Sequence, residues 1–350
     1  MVKNFFSLPD TATPRFLMIG MILFTGGLGL VSLALGRYGI PLSDLGRVLA
    51  WKIGILPAAS VVGLETVETV LFAVRLPRVL SALLVGAALS VSGATYQGLF
   101  KNPMVSPDIL GASAGAGFGA ALAILFGFNG IAVQFAAFVC GIAAVAVTYW
   151  VSGRIGGSEH GVLTLVLTGM VMGALFSAFI ALTKYVADPD NKLPAITFWL
   201  MGGLSSVTWK EFYHILIPMA LGILPVMLLR WRLNVLSFGE EEAQALGINT
   251  RQMRFVLIAG STLLTAAAVS IGGLIGWVGL VIPHLARMVV GPDFRRLLLA
   301  ALLMGGAFMM VVDDLSRTLF AIEIPLGILT ALIGAPFFIH LLARGKRGWL

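Results

Sequence analysis

By type and spacing, the residues best suited to chemistry are those around Ser113, where Gly111-Ala112-Ser113-Ala114-Gly115 matches the Gly-x-Ser-x-Gly pattern of a hydrolytic nucleophile. A serine nucleophile needs a histidine base to take its proton. The chain has four histidines: His214, His284 and His340 fall near the ends of apolar stretches and His160 in a loop. No spacing ties any of them to Ser113, and the pattern requires a strand-to-helix turn that an apolar helical run does not supply. An intramembrane serine hydrolase using Ser113 is therefore the minor reading. The glycines themselves carry a second one. Gly111, Gly115 and Gly119 recur every fourth residue, stack on one helix face and let another backbone come close. A phosphate cradle would need a following Lys-Ser or Lys-Thr, and the sequence has no Walker-type motif. Packing is the favoured role. No catalytic residue and no metal ligand set is assigned, and the single Cys140 rules out an internal disulfide.

The elements that would carry these residues are set by composition. Of 350 residues 59% are hydrophobic and 11% charged, 42 are glycine, and the mean hydropathy is +0.99. Such a chain is polytopic in a membrane, and because polar and apolar residues do not alternate it is all-α rather than a barrel. Apolar runs long enough to cross, or nearly so, cover about 16–35, 79–100, 109–128, 131–152, 162–183, 212–229, 255–274, 275–290, 297–312 and 326–342. The eighth is short and broken by Pro283. Ten spans place both termini on one side, and that side receives most of the 23 Lys and Arg residues, Arg230, Arg232, Arg251 and Arg254 among them. Basic loops stay inside, so both termini are expected in the cytoplasm. The net charge of +7 and pI of 9.9 then report topology and not nucleic-acid binding. The first apolar run is too long for a cleaved signal and is read as a retained helix.

Residues 1–350 read as one transmembrane domain with two outer segments, 36–74 and 188–210. In the first, Ile53 to Leu64 is apolar but too short to cross and is expected to lie on or dip into the outer surface. In the second, Pro194 to Gly203 is expected to form a short interfacial helix, with Trp199 and Trp209 at headgroup depth. Residues 87–93 and 267–273 echo one another in spans of opposite direction, which fits an inverted repeat and equally fits the recurrence of small residues in packed helices. Acids stay at the edges of the spans, with Asp313, Asp314, Arg317 and Glu323 expected around an outer turn. A transporter with its own ion site is disfavoured, and the driving energy is expected from a partner. Residues 237–249 look built to receive one: Glu240, Glu241 and Glu242 open a short helix, Gly247 ends it and Asn249 caps the next. A solvated turn is the plainer account.

Ser92-Gly93, Gln97, Asn102-Pro103, Pro107 and Leu110-Gly111 resemble the signature of the iron-chelate (FecCD-type) permeases, membrane subunits of binding-protein-dependent ABC importers that include cobalamin and haem permeases. Gly239-Glu240, Leu246-Gly247, Gly279 to His284, Pro325, Gly327, Thr330-Ala331 and Gly334-Ala335-Pro336 continue the resemblance in order, over about residues 75–342. The resemblance implies a homodimer of ten-helix subunits in the inner membrane of a bacterial or archaeal cell. Two ABC ATPase subunits, which use the ATP and Mg, would dock beneath it, and a periplasmic substrate-binding protein above; this chain would bind no cofactor itself. Glu240, Glu241, Ala243, Leu246 and Gly247 would form the coupling helix. Arg75, Arg78 and Arg317 would pair with acids on the binding protein, although arginines at the end of a span also snorkel to lipid headgroups. Met170, Met172, Phe176 and Phe337 would line the pathway, with Val162 and Leu163 at its inner gate. The implied cargo is a metal chelate, ferric siderophore first, then haem, cobalamin or an oxyanion such as molybdate.

Overall fold

The computed structural model describes residues 13–155 and 161–345. Among these the chain is helical with no strand: α1 (Thr13–Ala34), α2 (Leu42–Lys52), α3 (Glu65–Thr69), α4 (Leu76–Leu99), α5 (Ala112–Leu125), α6 (Gly130–Ile155), α7 (Gly161–Val186), α8 (Lys192–Met201), α9 (Trp209–Leu228), α10 (Arg230–Phe238), α11 (Glu240–Ala245), α12 (Thr250–Gly272), α13 (Val278–Val290), α14 (Phe294–Thr318) and α15 (Leu326–Gly345). Seven helical stretches are long and apolar enough to cross a membrane, and α5, α13 and α15 are shorter apolar helices. Each coincides with one of the ten apolar runs. Lys3, His160, Lys346 and Arg347 lie outside the described residues.

Local signals set the helix boundaries. Thr208 and Glu211 form a reciprocal capping box at the start of α9, the Asn249 Oδ1 accepts from the Gln252 N–H at 3.0 Å to open α12, and Asp293 caps α14. The outer segment that lacks a long apolar run is helical too. α2 buries Leu45 and Val48, and α3 continues through a π-helical stretch, Val70–Arg75, into α4 without a break. The predicted interfacial helix is α8, but its Trp199 packs partly into the core, and the Trp209 indole N–H is taken by the Phe72 carbonyl at 2.6 Å.

Lipid is as apolar as leucine, so close backbone approach and interhelical hydrogen bonds must hold the bundle together. α4, α12 and α14 are its most buried spans and α7 its least. A Cβ on Gly86 would overlap the Gly305 carbonyl of α14, one on Gly93 the Gly279 carbonyl of α13, and one on Gly222 would come within 2.8 Å of the Gly260 carbonyl. Small side chains are therefore a condition of these crossings. Polar pairs add to them: the Ser92 hydroxyl lies 2.8 Å from that of Thr265, and Tyr96 Oη 3.2 Å from Thr262 Oγ1, both across α4 and α12. The two helices that echo one another in sequence thus pack face to face.

Gly115 and Gly119 behave as the spacing predicts, with room for Cβ denied by Ala144, Cys140 and Ala136 of α6. Gly111 does not share that role. It sits before α5 at φ +85°, a left-handed turn that favours glycine, and it faces the backbone of Gly169 and Gly173 on α7.

Candidate functional site

Three regions gather the residues singled out in the sequence. At one end of the bundle, α10, α11 and the start of α12 form a compact projection. Gly239 enters α11 at φ +155° and Gly247 leaves it at φ +78°, both in the positive range where side chains are strained. Ala243 is 0% exposed and turned into the chain, whereas Leu246 is 71% and Phe238 77% exposed. Glu240 pairs with Arg254 of α12, and Gln244 Nε2 donates to Thr250 Oγ1 at 3.2 Å. The Asn234 amide donates to Asp293 Oδ1 at 2.6 Å while its own oxygen accepts from the Phe294 N–H at 2.9 Å, tying α10 to α14. Burial pushes the Asp293 carboxyl up, but the Arg295 N–H, the Asn234 amide and the Arg295 and Arg296 charges outweigh it and hold the group below its usual range. The projection is therefore an exposed apolar tip on a base fixed to two core helices. Phe238 was not singled out in the sequence; a phenylalanine beside a glycine and an acidic run in a polar connection was its available signal.

At the opposite end stands a buried ionic network. Arg78 Nε lies 3.0 Å from both oxygens of Asp313, and its two terminal nitrogens reach Glu323 at 3.1 and 3.0 Å. Arg317 pairs with Asp314 and donates to the Ser32 carbonyl at 2.6 Å, while the Ser32 hydroxyl donates to Asp314 at 2.6 Å. Arg75 donates to the carbonyls of Leu33 and Ala34 at 2.7 and 2.8 Å and to that of Tyr38. Arg75, Arg78 and Arg317 are only 4%, 7% and 5% exposed. This corrects two expectations. The arginines do not snorkel to headgroups, because in the free chain its own acceptors enclose them. Asp313, Asp314 and Arg317 do not lie in a turn, because α14 continues to Thr318 and buries them in its last turns. Only Glu323, with 29% of its side chain exposed, lies in the connection to α15.

The third region is α7 and α15. Met170 is 61% exposed and Leu163 is also exposed, Val162 packs against the core, and Met172 and Phe337 are half-buried. Phe176 meets Phe118 and Phe179 at centroid distances of 5.9 and 6.0 Å, so it packs within its own subunit. A neighbouring constraint acts on α15. Trp277, before α13, adopts φ +69°, and a Cβ at Gly334 of α15 would come within 2.5 Å of its side chain.

Ser113 is placed against a hydrolytic role. Its hydroxyl donates to Asp108 at the start of a helix, there is no strand among the described residues to form the elbow, and His214 Nδ1 is engaged with the Lys210 carbonyl.

A multi-helix membrane bundle with an exposed apolar tip on a rigid base at one end and an ionic clasp at the other defines a class, the transmembrane subunit of a transporter worked by outside partners. The chain belongs to the FecCD transport family, whose model matches residues 22–344. It is 40% identical over 333 residues to the molybdate import system permease protein MolB of Haemophilus influenzae, covering 95% of this chain and 96% of that one. It is 37% identical over 344 residues to the hemin transport system permease protein HmuU of Yersinia pestis, covering 95% and 97%. A solved structure of a metal-chelate type ABC transporter in an inward-facing conformation superposes with a TM-score of 0.83 at 38% identity, over 94% of this chain and 99% of that chain. The chain is thus a multi-pass permease subunit of an ABC importer, and ATP hydrolysis belongs to a partner subunit.

Proposed function

We propose that two copies of this chain, in the inner membrane of a bacterium or archaeon, carry a ferric chelate from a periplasmic binding protein to the cytoplasm. Two ATPases would drive them by gripping α11. The observation that carries this reading is the Leu246–Phe238 tip, exposed although apolar, on a base hydrogen-bonded to α12 and α14. A tip so fixed transmits a push as rigid-body movement of the core. The poorly buried faces of α7 and α15 belong to the second copy and the path between the two. Leu167, Met170, Val171 and Leu175 expose an uncharged apolar surface there. Such a wall suits cargo wrapped in an organic ligand, whereas a bare oxyanion would lose hydration without compensation. The binding protein docks at the Arg75, Arg78 and Arg317 end, where its acids compete with Glu323. A second reading, molybdate as cargo, is favoured by the nearly full-length similarity to the Haemophilus permease. Proteoliposomes holding the permease, its ATPase and its binding protein decide between them: ATP-dependent entry of labelled ferric siderophore but not molybdate is expected, and the reverse selects the second reading.

A further inference from the structure

Trp209, the first residue of α9, is half-buried, and its indole N–H donates to the Phe72 carbonyl at 2.6 Å. That carbonyl is free for a reason written into its own helix. Val70–Arg75 is π-helical, and the N–H of Leu76 runs back five residues to the Leu71 carbonyl. The next bond in that register would join residue 77 to Phe72, but residue 77 is proline and has no N–H. The π-turn and Pro77 together leave one acceptor open, and a side chain from another helix fills it. The Trp209 ring is fixed in turn. It stacks on Tyr213 and meets Phe212 edge-on, both at 5.5 Å between centroids. The two sides of the bond lead to the two ends of the molecule. Phe72 lies three residues before Arg75 and six before Arg78 on one continuous helical stretch, the one that carries two arginines of the ionic clasp. Trp209 opens the 20-residue α9, and after Leu229 the chain passes directly into α10 and α11 and so to the exposed tip. Pro218 and Pro225 cost α9 bonds of its own ladder, but close packing at Gly222 against α12 braces it.

We propose, on the assignment of tip and clasp made above, that Trp209 is a positioning residue whose bond to the Phe72 carbonyl is the outer attachment of α9, through which nucleotide-driven movement of the tip reaches the helix where the binding protein docks. Coupling between two sites is reciprocal, so the affinity of the binding protein should differ with and without nucleotide at the ATPases. The test measures that affinity on the assembled importer in nanodiscs, with AMP-PNP and nucleotide-free, and takes the ratio. Trp209→Phe keeps a ring for Tyr213 and loses the N–H; it should move the ratio about threefold or more toward one, the worth of one hydrogen bond. Pro77→Ala reaches the same bond without touching the indole, by giving the Phe72 carbonyl an N–H from its own helix. It should also shrink the ratio, and the double variant should shrink it no further. A bond that serves stability alone would lower the melting temperature and leave the ratio intact. A wild-type ratio of one, a ratio unchanged in both single variants, or losses that multiply in the double variant overturns the proposal. Leu246→Arg leaves the bond whole and separates the two assignments: a wild-type ratio there, with a reduced ratio in Trp209→Phe, keeps the attachment and rejects the tip.

Discussion

Arg78 carries two carboxylates on one guanidinium, and that geometry decides what its replacement costs. Removing it leaves Asp313, 1% exposed, with only the longer 3.7 Å approach of Arg317, which is already paired with Asp314. Arg78→Ala should therefore cost about 3–5 kcal/mol of stability, read as a large fall in the detergent melting temperature whether or not a binding protein is present. Glu323 is the removable partner, because Asp313 still satisfies Arg78 without it. Glu323→Gln should leave the fold nearly intact and strengthen docking of the binding protein; weakened docking would argue against the competition proposed above. Ser113→Ala removes the hydroxyl donor to Asp108 and should destabilise by about 1–3 kcal/mol, while the wild-type protein stays unlabelled by serine-reactive phosphonates. At this scale the sequence was only partly legible. The oddity of Arg75 and Arg78 at the outer end of a span showed in the charge pattern, but their acceptors come from α1, the outer loop and α14, more than 200 residues away for Asp313. The hydropathy drop at Asp313 also looked like a helix end, although acids and Arg317 at i, i+3 and i, i+4 continue the helical period.

Among elements, α11 separates two positions that the sequence treated alike. Leu246→Arg changes an exposed side chain and should leave the melting temperature unchanged while uncoupling ATP hydrolysis from uptake in proteoliposomes. Ala243→Arg forces a guanidinium into a site with no exposure and should unfold the projection, seen as early proteolysis between α10 and α12. If Leu246→Arg transports normally, the tip is not the coupling contact. Glycine positions divide in the same way. Gly93→Ala sets a methyl against the Gly279 carbonyl and should pry α4 from α13, with a loss of several kcal/mol, about the cost of overpacking. Gly20→Ala in α1 has nothing within 4 Å and should be neutral or slightly stabilising in the melting temperature. Existence of the spans was legible because about 20 apolar residues in a row have one physical solution in lipid. The outer helices were not, because α2 is amphipathic and short, and α3 merges through a π-turn with a span whose apolar run begins later. Gly111 shows the limit of spacing arguments: it shares the period of Gly115 and Gly119 but precedes the helix.

For the molecule as a whole, the question is where the free energy for uphill movement enters. The described acids within the long helical stretches are Asp313 and Asp314 near the end of α14, Glu211 near the start of α9, and Glu65 and Glu68 in the opening turn of the stretch that runs from α3 into α4. The first two are neutralised by Arg78 and Arg317, and Glu211 is held by the capping box at Thr208. A carboxylate already paired with a guanidinium is a poor carrier for a proton or sodium ion, since loading it would first break the pair. The described carboxylates of α9 and α14 are thus all engaged and offer a gradient no free site at which to do work, while an exposed apolar tip stands at the opposite end from the ionic clasp. Reconstituted alone in liposomes under a pH or sodium gradient, the chain should not concentrate ferric siderophore. Adding the ATPase, the binding protein and ATP should start accumulation, and Leu246→Arg should stop it without slowing ATP hydrolysis in proportion. Accumulation by the chain alone, scaling with the imposed gradient, would mean that the paired carboxylates open during transport and that the clasp is itself the coupling site.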